Sequence, residues 1–167
     1  PGLRRAAAAT AKPLGPLLKL ATWNVNSLAV RLPQLLDWLA VQQPDALVLQ
    51  ETKLTDDKFP HEELMAAGWH CAWHGQKTYN GVALLSRTAP ALDVVKNIPG
   101  FEDEQARVIT GTVNGVRVIG GYFPNGQAPG SDKFAYKMRW LEALRDFVRA
   151  ELATHPQLAL MGDFNIA

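Results

Sequence analysis

The sequence predicts an α/β (α+β) domain, on three observations. Short apolar runs of strand length, such as residues 46–49, recur along the chain. Leucines at helical spacing separate the first two of these runs, so strand, helix and strand follow one another before Glu51. The dipeptide Asn114-Gly115 lies between two further apolar runs, which is the strongest short signal for a β-hairpin. At 167 residues, 47% of them hydrophobic, the chain is large enough for one buried core.

The first half of the chain is predicted to alternate strands and helices. Four leucines recur at the spacing of an amphipathic helix, and Pro44 lies beyond its end. Pro60 and Gly68 bound a second, shorter helix. The predicted elements are a strand over 17–23, a helix over 32–41, a strand over 46–49, a helix over 61–67, a strand over 69–74 and a strand over 82–86.

The second half is predicted to hold a hairpin, a long helix and a last strand. Residues 90–103 contain acidic residues without a regular pattern and are expected to be irregular. The predicted elements are strands over 107–113 and 116–122, a helix over 133–153 and a strand over 158–161. The buried stripe of the long helix is expected to be Phe134, Met138, Leu141, Leu144, Val148 and Leu152.

Composition narrows the partners and the compartment. A formal net charge of +1 gives no large field, so any contact with nucleic acid must come from local patches. The single cysteine, Cys71, cannot form an internal disulfide, and this predicts a reducing, cytoplasmic location. No apolar run approaches the roughly 20 residues that a membrane span needs, so no membrane contact is expected. Residues 1–16 are expected to be a flexible N-terminal tail and residues 17–167 the folded part.

Polar side chains follow four of the predicted strands. They are Asn24 and Asn26 after the first strand, Glu51 after the second, Tyr122 and Asn125 after the hairpin, and Asp163 and Asn165 after the last. If these strands share a sheet, their ends can converge, and open α/β sheets place their chemistry at such ends. Simpler interpretations exist: the asparagines can form a turn and a helix cap, and Glu51 can be a loop carboxylate paired with Lys53.

The chemistry of these groups indicates a magnesium site and a phosphate ester. Two carboxylates with several amides form a hard, oxygen-rich set, which Mg²⁺ prefers together with water and phosphate oxygens. Zinc is disfavoured, because no His or Cys pair has ligand spacing. In metal-assisted hydrolysis, Asp163 could deprotonate or orient the attacking water, and Tyr122 could donate to a phosphoryl oxygen or assist the leaving group. The pattern alone does not distinguish such a site from its simpler interpretations.

Five sequence motifs are more specific than the pattern of polar groups at strand ends. They are residues 22–26 (TWNVN), 49–53 (LQETK), 81–86 (GVALLS), 121–124 (GYFP) and 161–165 (MGDFN). In this order and spacing the chain closely resembles the exonuclease III family of abasic-site endonucleases, within the endonuclease/exonuclease/phosphatase superfamily, from about Leu18 to Ile166. The resemblance implies a four-layer α/β/β/α sandwich, of which this chain is expected to supply roughly the first sheet and its outer helices.

The resemblance also assigns roles to residues of this sequence. It implies that Glu51 binds the metal with Asn24 nearby, and that the metal is Mg²⁺ or Mn²⁺. It implies that Tyr122, Asp163 and Asn165 are catalytic. Residues at positions expected to contact DNA or support the site are Lys53, Tyr79, Arg107, Asn125 and Lys133. The implied activities are incision 5′ to abasic sites and 3′-to-5′ removal of nucleotides or blocking groups from double-stranded DNA.

The sequence also departs from the family pattern. The family domain continues beyond the fifth motif with further catalytic groups and a Ser-Asp-His segment that these residues do not contain. We therefore expect an incomplete copy of a longer protein, which is a monomer when complete. In this copy the strand over 46–49 would lack cover on one apolar face, and the chain alone would be inactive or nearly so. The alternatives are a non-catalytic DNA-binding or interaction module of the same fold, and a phosphatase of the superfamily.

Overall fold

The computed structural model describes residues 17–166, so the predicted tail over 1–16 lies outside the described residues. The strands are β1 (Leu20–Asn24), β2 (Ala46–Gln50), β3 (His70–His74), β4 (Val82–Ser86), β5 (Leu92–Lys96), β6 (Val108–Val113), β7 (Val116–Tyr122) and β8 (Leu158–Asp163). The helices are α1 (Leu28–Gln42), α2 (His61–Ala66) and α3 (Asp132–Thr154), with a 3₁₀ turn at Asp56–Lys58. In the described part of the chain, no helix has the length and apolar character needed to cross a membrane.

The strands form two four-stranded sheets, in the orders β1-β2-β4-β3 and β5-β6-β7-β8. The pairs β1/β2 and β7/β8 are parallel, and the remaining pairs are antiparallel. The predicted α/β class is confirmed, as is the sandwich. The expectation that this chain supplies only the first sheet is wrong, because β5 to β8 make a second one. Apolar periodicity predicts where strands lie along the chain but not which strands pair, so it does not separate these strands into two sheets.

Three apolar clusters divide the fold into four layers. One lies between the first sheet and helices α1 and α2, with Leu35 and Leu39 of α1 against Leu47 and Leu49 of β2. Another lies between the sheets and is built from Ala46, Val48, Val82, Leu84, Ile109, Val113 and Val118. The third joins the second sheet to α3. Both faces of β2 are therefore covered, and the expectation of an uncovered face on this strand is wrong, because the second sheet packs on it.

Several elements differ from their predicted limits. Helix α1 begins at Leu28, four residues before the predicted start, with Pro33 inside it. Strand β5 lies within the segment predicted to be irregular; its side chains are mostly exposed, so it lacks the apolar pattern of a buried strand. On α3 the buried residues are Trp140, Leu144 and Phe147, whereas Met138 and Leu152 of the predicted stripe are exposed. The predicted type I′ turn is confirmed, since Asn114 and Gly115 both have positive φ, 48° and 79°.

Gly120 of β7 sets how closely the two sheets approach each other. A Cβ atom built on Gly120 would lie 2.4 Å from Cγ1 of Val48, in the middle of β2. Val48 is fully buried in the cluster between the sheets, so its side chain has no free volume to enter. The absence of a side chain at position 120 therefore allows β2 and β7 to come close, and these two strands lead directly to Glu51 and Tyr122.

We expect Gly120→Ala to lower the free energy of unfolding by about 1–3 kcal/mol, because the new methyl group overpacks the contact with Val48. Urea denaturation would measure the loss. Val48→Ala removes the opposing methyl groups, so the double variant should be more stable than the sum of the two single effects by at least about 0.5 kcal/mol. Strict additivity of the two substitutions would contradict the proposed contact.

Candidate functional site

The carboxyl ends of four strands, two from each sheet, meet at one end of the sandwich. In the first sheet, Asn24 ends β1 opposite Gln50, and Glu51 follows at once. In the second sheet, Tyr122 ends β7 opposite Asp163, the last residue of β8. Both pairs are parallel, so each delivers two strand ends at the same edge, which is where α/β sheets place ligands. The structure therefore brings together Asn24, Glu51, Tyr122 and Asp163, as the sequence predicts, although from two sheets.

The side-chain amide of Asn24 connects the two carboxylates. Its Nδ2 donates one hydrogen bond to Oε2 of Glu51 and another to Oδ2 of Asp163, the latter at 2.9 Å. Its Oδ1 accepts from the backbone N–H of Asn26 at 3.0 Å, which fixes the orientation of the amide. Two acidic groups from different sheets thus share one donor, and their mutual repulsion is reduced by hydrogen bonds to each.

The backbone at Glu51 is held in an unusual conformation. Glu51 has a φ of 54° and Lys53 has 56°, values that residues other than glycine and asparagine rarely adopt. Neighbouring segments fix this turn on both sides. The carbonyl of Glu51 accepts from the N–H of Ser27 at 2.8 Å, and the N–H of Lys53 donates to the carbonyl of Asn80 at 2.9 Å. Backbone strain of this kind persists where the surroundings determine it, and it concentrates at functional sites.

Lys53 lies near Glu51 but does not form a close ion pair with it. Its Nζ donates to Oδ1 of Asn26 at 2.7 Å and lies 3.8 Å from Oε1 of Glu51. The pairing of Glu51 with Lys53 that the sequence left open is therefore present but long. The principal contact of the carboxylate is with Asn24. Lys53 does not line the pocket that contains the other predicted DNA-contacting residues.

Asp163 and Asn165 are held by the turn after β8. The N–H of Asn165 donates to Oδ1 of Asp163 at 3.1 Å, and Nδ2 of Asn165 donates to the carbonyl of Phe123 at 2.8 Å. Gly162 allows β8 to lie close to β7, because a Cβ atom at position 162 would lie 1.8 Å from the carbonyl oxygen of Gly121. Both oxygens of Asp163 are thus engaged, one by Asn24 and one by the backbone of Asn165.

Tyr122 lies beside the carboxylates and beneath a guanidinium. Its pKa is raised above the ordinary value of 10.0, first by burial and then by the charge of Glu51, while Arg107 opposes the shift. The carbon centre of the Arg107 guanidinium lies 5.0 Å from the centre of the Tyr122 ring. The Nη1 of Arg107 also donates to the carbonyl of Tyr122 at 3.0 Å. The hydroxyl therefore stays protonated at neutral pH and is available as a donor.

A pocket of about 380 Å³ opens next to Tyr122. Of the residues predicted to contact DNA or support the site, four line it: Tyr79, Arg107, Asn125 and Lys133. The pocket contains two cationic side chains and no acidic one, so it suits an anion adjoining the carboxylate pair. Sequence reasoning missed Gln76, Gln105 and Tyr136, which also line it. Gln76 lies in a loop whose polar composition indicates a possible binding segment. Tyr136 lies in a helix whose apolar pattern indicates only packing.

The donor set fits a hard divalent cation. Among residues 17–166, no group of three or more His, Cys, Asp and Glu side chains lies close enough to form a metal site. Magnesium needs only one or two carboxylates, with water and phosphate oxygens in the remaining positions. Glu51 and Asp163 are such a pair. Asn24 directs its nitrogen at both carboxylates, so in this arrangement it donates to the groups predicted to serve the metal, and its own role as a ligand stays a prediction.

The chain is similar in sequence to a known protein family. Residues 21–167 match the profile of the Endonuclease/Exonuclease/phosphatase family. The chain is 34% identical to exodeoxyribonuclease III of Haemophilus influenzae, a match that covers 90% of this chain and 58% of that protein. It is 35% identical to an exodeoxyribonuclease of Bacillus subtilis, covering 90% of this chain and 59% of the relative. The chain thus spans less than two thirds of the length of these relatives.

Solved structures show the same fold. A 3′-5′ exonuclease from Neisseria meningitidis superposes with a TM-score of 0.87 at 56% identity, and an AP endonuclease from Archaeoglobus fulgidus with 0.84 at 35%. A third structure, of a 3′ phosphatase from Neisseria bound to a product DNA hairpin, superposes with 0.87 at 55% identity. These matches cover 90% of this chain and 58–59% of the solved chains.

We expect Asn24→Asp to lower the free energy of unfolding by about 2 kcal/mol at pH 7, because it replaces a shared donor with a third carboxylate. Urea denaturation would measure the loss. Asn125→Asp, the same change at an exposed position, should cost little. Equal costs for the two variants at pH 7 would contradict the shared hydrogen bond.

Proposed function

Because the chain belongs to the Endonuclease/Exonuclease/phosphatase family, we propose that it carries the site of a DNA-repair nuclease that hydrolyses phosphodiesters with Mg²⁺ or Mn²⁺. One observation supports this most directly: Glu51 and Asp163 share the amide of Asn24, next to Tyr122 and a cationic pocket. A carboxylate pair beside an anion-binding pocket suits a reaction at a phosphate group. The same observation disfavours a binding module without chemistry, because binding alone does not require carboxylates near a polyanion.

Each residue has a proposed task. Glu51 would hold the cation, which when bound polarises a phosphoryl oxygen and offsets charge on the leaving oxygen. Asp163 accepts hydrogen bonds through both oxygens and would orient or deprotonate the attacking water. The protonated hydroxyl of Tyr122 would donate to a phosphoryl oxygen. Asn165 would contact the same phosphate.

The cationic pocket would hold the DNA strand next to the scissile bond. Arg107 and Lys133 supply positive charge for neighbouring phosphates, and Asn125 lines the same pocket. Tyr79 is 68% exposed at its rim, where its ring could pack on a sugar or base. We propose double-stranded DNA with abasic sites or 3′ ends as the partner and the cytoplasm as the compartment.

Action at 3′ ends is the second candidate, and the names of two relatives favour it. The Neisseria structures at 56% and 55% identity are described as a 3′-5′ exonuclease and as a 3′ phosphatase bound to product DNA, whereas the Archaeoglobus AP endonuclease is 35% identical. Three duplexes distinguish the activities: one with an internal abasic site, one with a recessed 3′ hydroxyl and one with a 3′ phosphate. A phosphatase for small or lipid phosphoesters would leave all three duplexes intact.

We expect Glu51→Gln to reduce Mg²⁺-dependent cleavage by at least about 100-fold in the natural-length protein, because it removes the charge that holds the cation. Cleavage of the three duplexes would be followed on denaturing gels with Mg²⁺ and with EDTA. Glu62→Gln, the same change on an exposed position of α2, is the control and should keep full activity. Cleavage in EDTA, or an unimpaired Glu51→Gln variant, would contradict the proposed metal site.

The 167 residues by themselves are proposed to be inactive or nearly so on these duplexes. Groups that act together in catalysis are strongly non-additive, and the exodeoxyribonucleases matched by this chain extend over a longer sequence. The measurement is the incision rate of the purified 167-residue chain, with the Haemophilus influenzae enzyme as the positive control. A rate comparable to that of the control would overturn the proposal.

A further inference from the structure

A chain of contacts runs from Tyr136 of helix α3 to Arg107 and Tyr122, and its first three members were not predicted as site residues. It begins at Tyr136, whose hydroxyl donates to Oδ2 of Asp103 at 2.5 Å, within the range of charge-assisted O–H···O⁻ bonds. The other oxygen of Asp103 accepts from the backbone N–H of Gln105 at 2.9 Å. Tyr136 thereby ties the segment before β6 to α3, and both elements line the pocket.

The chain of contacts continues to Arg107. Oε1 of Gln105 accepts from Nε of Arg107 at 2.8 Å, and Nη1 of Arg107 donates to the carbonyl of Tyr122 at 3.0 Å. The guanidinium carbon lies 5.0 Å from the ring centre of Tyr122 and 5.8 Å from that of Tyr136, so it contacts both aromatic rings. Each link in this series restricts the guanidinium to one place above Tyr122.

The backbone of the same segment is fixed from β5. Asn97 lies directly after β5, and its Oδ1 accepts from the N–H groups of Arg107 and Val108 at 3.1 and 3.2 Å. Its Nδ2 donates to the carbonyl of Gln105 at 2.9 Å. Asn97 therefore sets the backbone of Arg107, whereas the route through Tyr136 and Asp103 sets the end of its side chain.

We propose that Tyr136 and Asp103 are positioning residues that hold the guanidinium of Arg107 over Tyr122, so that Arg107 meets the substrate phosphate pre-oriented. This inference rests on the proposed function. The hydrogen bonds to Gln105 and Tyr122 use Nε and Nη1 of Arg107, and the guanidinium lines the pocket in which an anion would bind. Burial, followed by the neighbouring Asp103, raises the pKa of Tyr136 while Arg107 opposes the shift, so its hydroxyl remains a donor at neutral pH.

A double-mutant cycle in the natural-length protein tests the route. Tyr136→Phe removes only the hydroxyl and should lower kcat/KM about tenfold on the duplex that the wild type cleaves, since it breaks a hydrogen bond to a charged group. In the Arg107→Met background the same substitution should change kcat/KM by less than about twofold, because its effect passes through Arg107. A general packing defect would lower activity by the same factor in both backgrounds, and that result overturns the proposal.

A matched pair of carboxylate variants provides the second comparison. Asp103→Asn should reduce kcat/KM in the same direction as Tyr136→Phe, whereas Glu104→Gln, an equal change of charge at the exposed next position, should leave it unchanged. Equal effects of the two carboxylate variants would show that charge alone matters and would also overturn the positioning role.

The NMR signal of Arg107 Nε–H separates this inference from the proposed function, because it needs no substrate. In ¹⁵N-labelled protein the Arg107 Nε proton should exchange slowly with water, and Tyr136→Phe should shift it and speed its exchange. If the wild type cleaves no DNA, the nuclease proposal fails while this measurement still tests the contacts. An Nε–H signal that Tyr136→Phe leaves unchanged would overturn the inference, whatever the activity.

Discussion

The side-chain amide of Asn24 donates to carboxylates from two different sheets, and much of the remaining architecture makes this possible. Glu51 reaches the amide from β2 and Asp163 reaches it from β8, so the sheets must bring their strand ends to the same place. Gly120 allows β7 to approach β2, and Gly162 allows β8 to approach β7 where Asp163 begins its turn. Without the shared donor, two carboxylates that both lie within hydrogen-bond distance of one nitrogen would repel each other in a partly buried setting.

Charge is distributed unevenly around this centre. The acidic groups lie at the junction of the sheets, Arg107 and Lys133 line the adjoining pocket, and Nζ of Lys53 lies 3.8 Å from Oε1 of Glu51. A phosphate chain can thus place one group near the carboxylates, where a cation would mediate the contact, and the next group among cationic side chains. Tyr122 stands between the two environments, which is why burial and Glu51 raise its pKa while Arg107 lowers it.

The sequence was most informative where local chemistry decides the structure. The run ending at Glu51 forms a strand buried on both faces, and Asn114-Gly115 forms the predicted hairpin turn. It was least informative where tertiary contacts decide. Strand β5 is mostly exposed and shows no apolar pattern, and the assignment of strands to two sheets depends on long-range pairing. The role of Tyr136 could not be predicted, because a tyrosine in an amphipathic helix usually packs against the core. Only its contact with Asp103 distinguishes it.

The most direct test of the shared amide is the NMR spectrum of the Asn24 side chain. Its two Nδ2 protons are assigned to different acceptors, one to Glu51 and one to Asp163. Glu51→Gln should therefore shift mainly one proton resonance and Asp163→Asn mainly the other, in protein without metal. If neither substitution moves the Asn24 resonances, or if both move the same one alone, the two carboxylates do not share this donor and the site is not built as described.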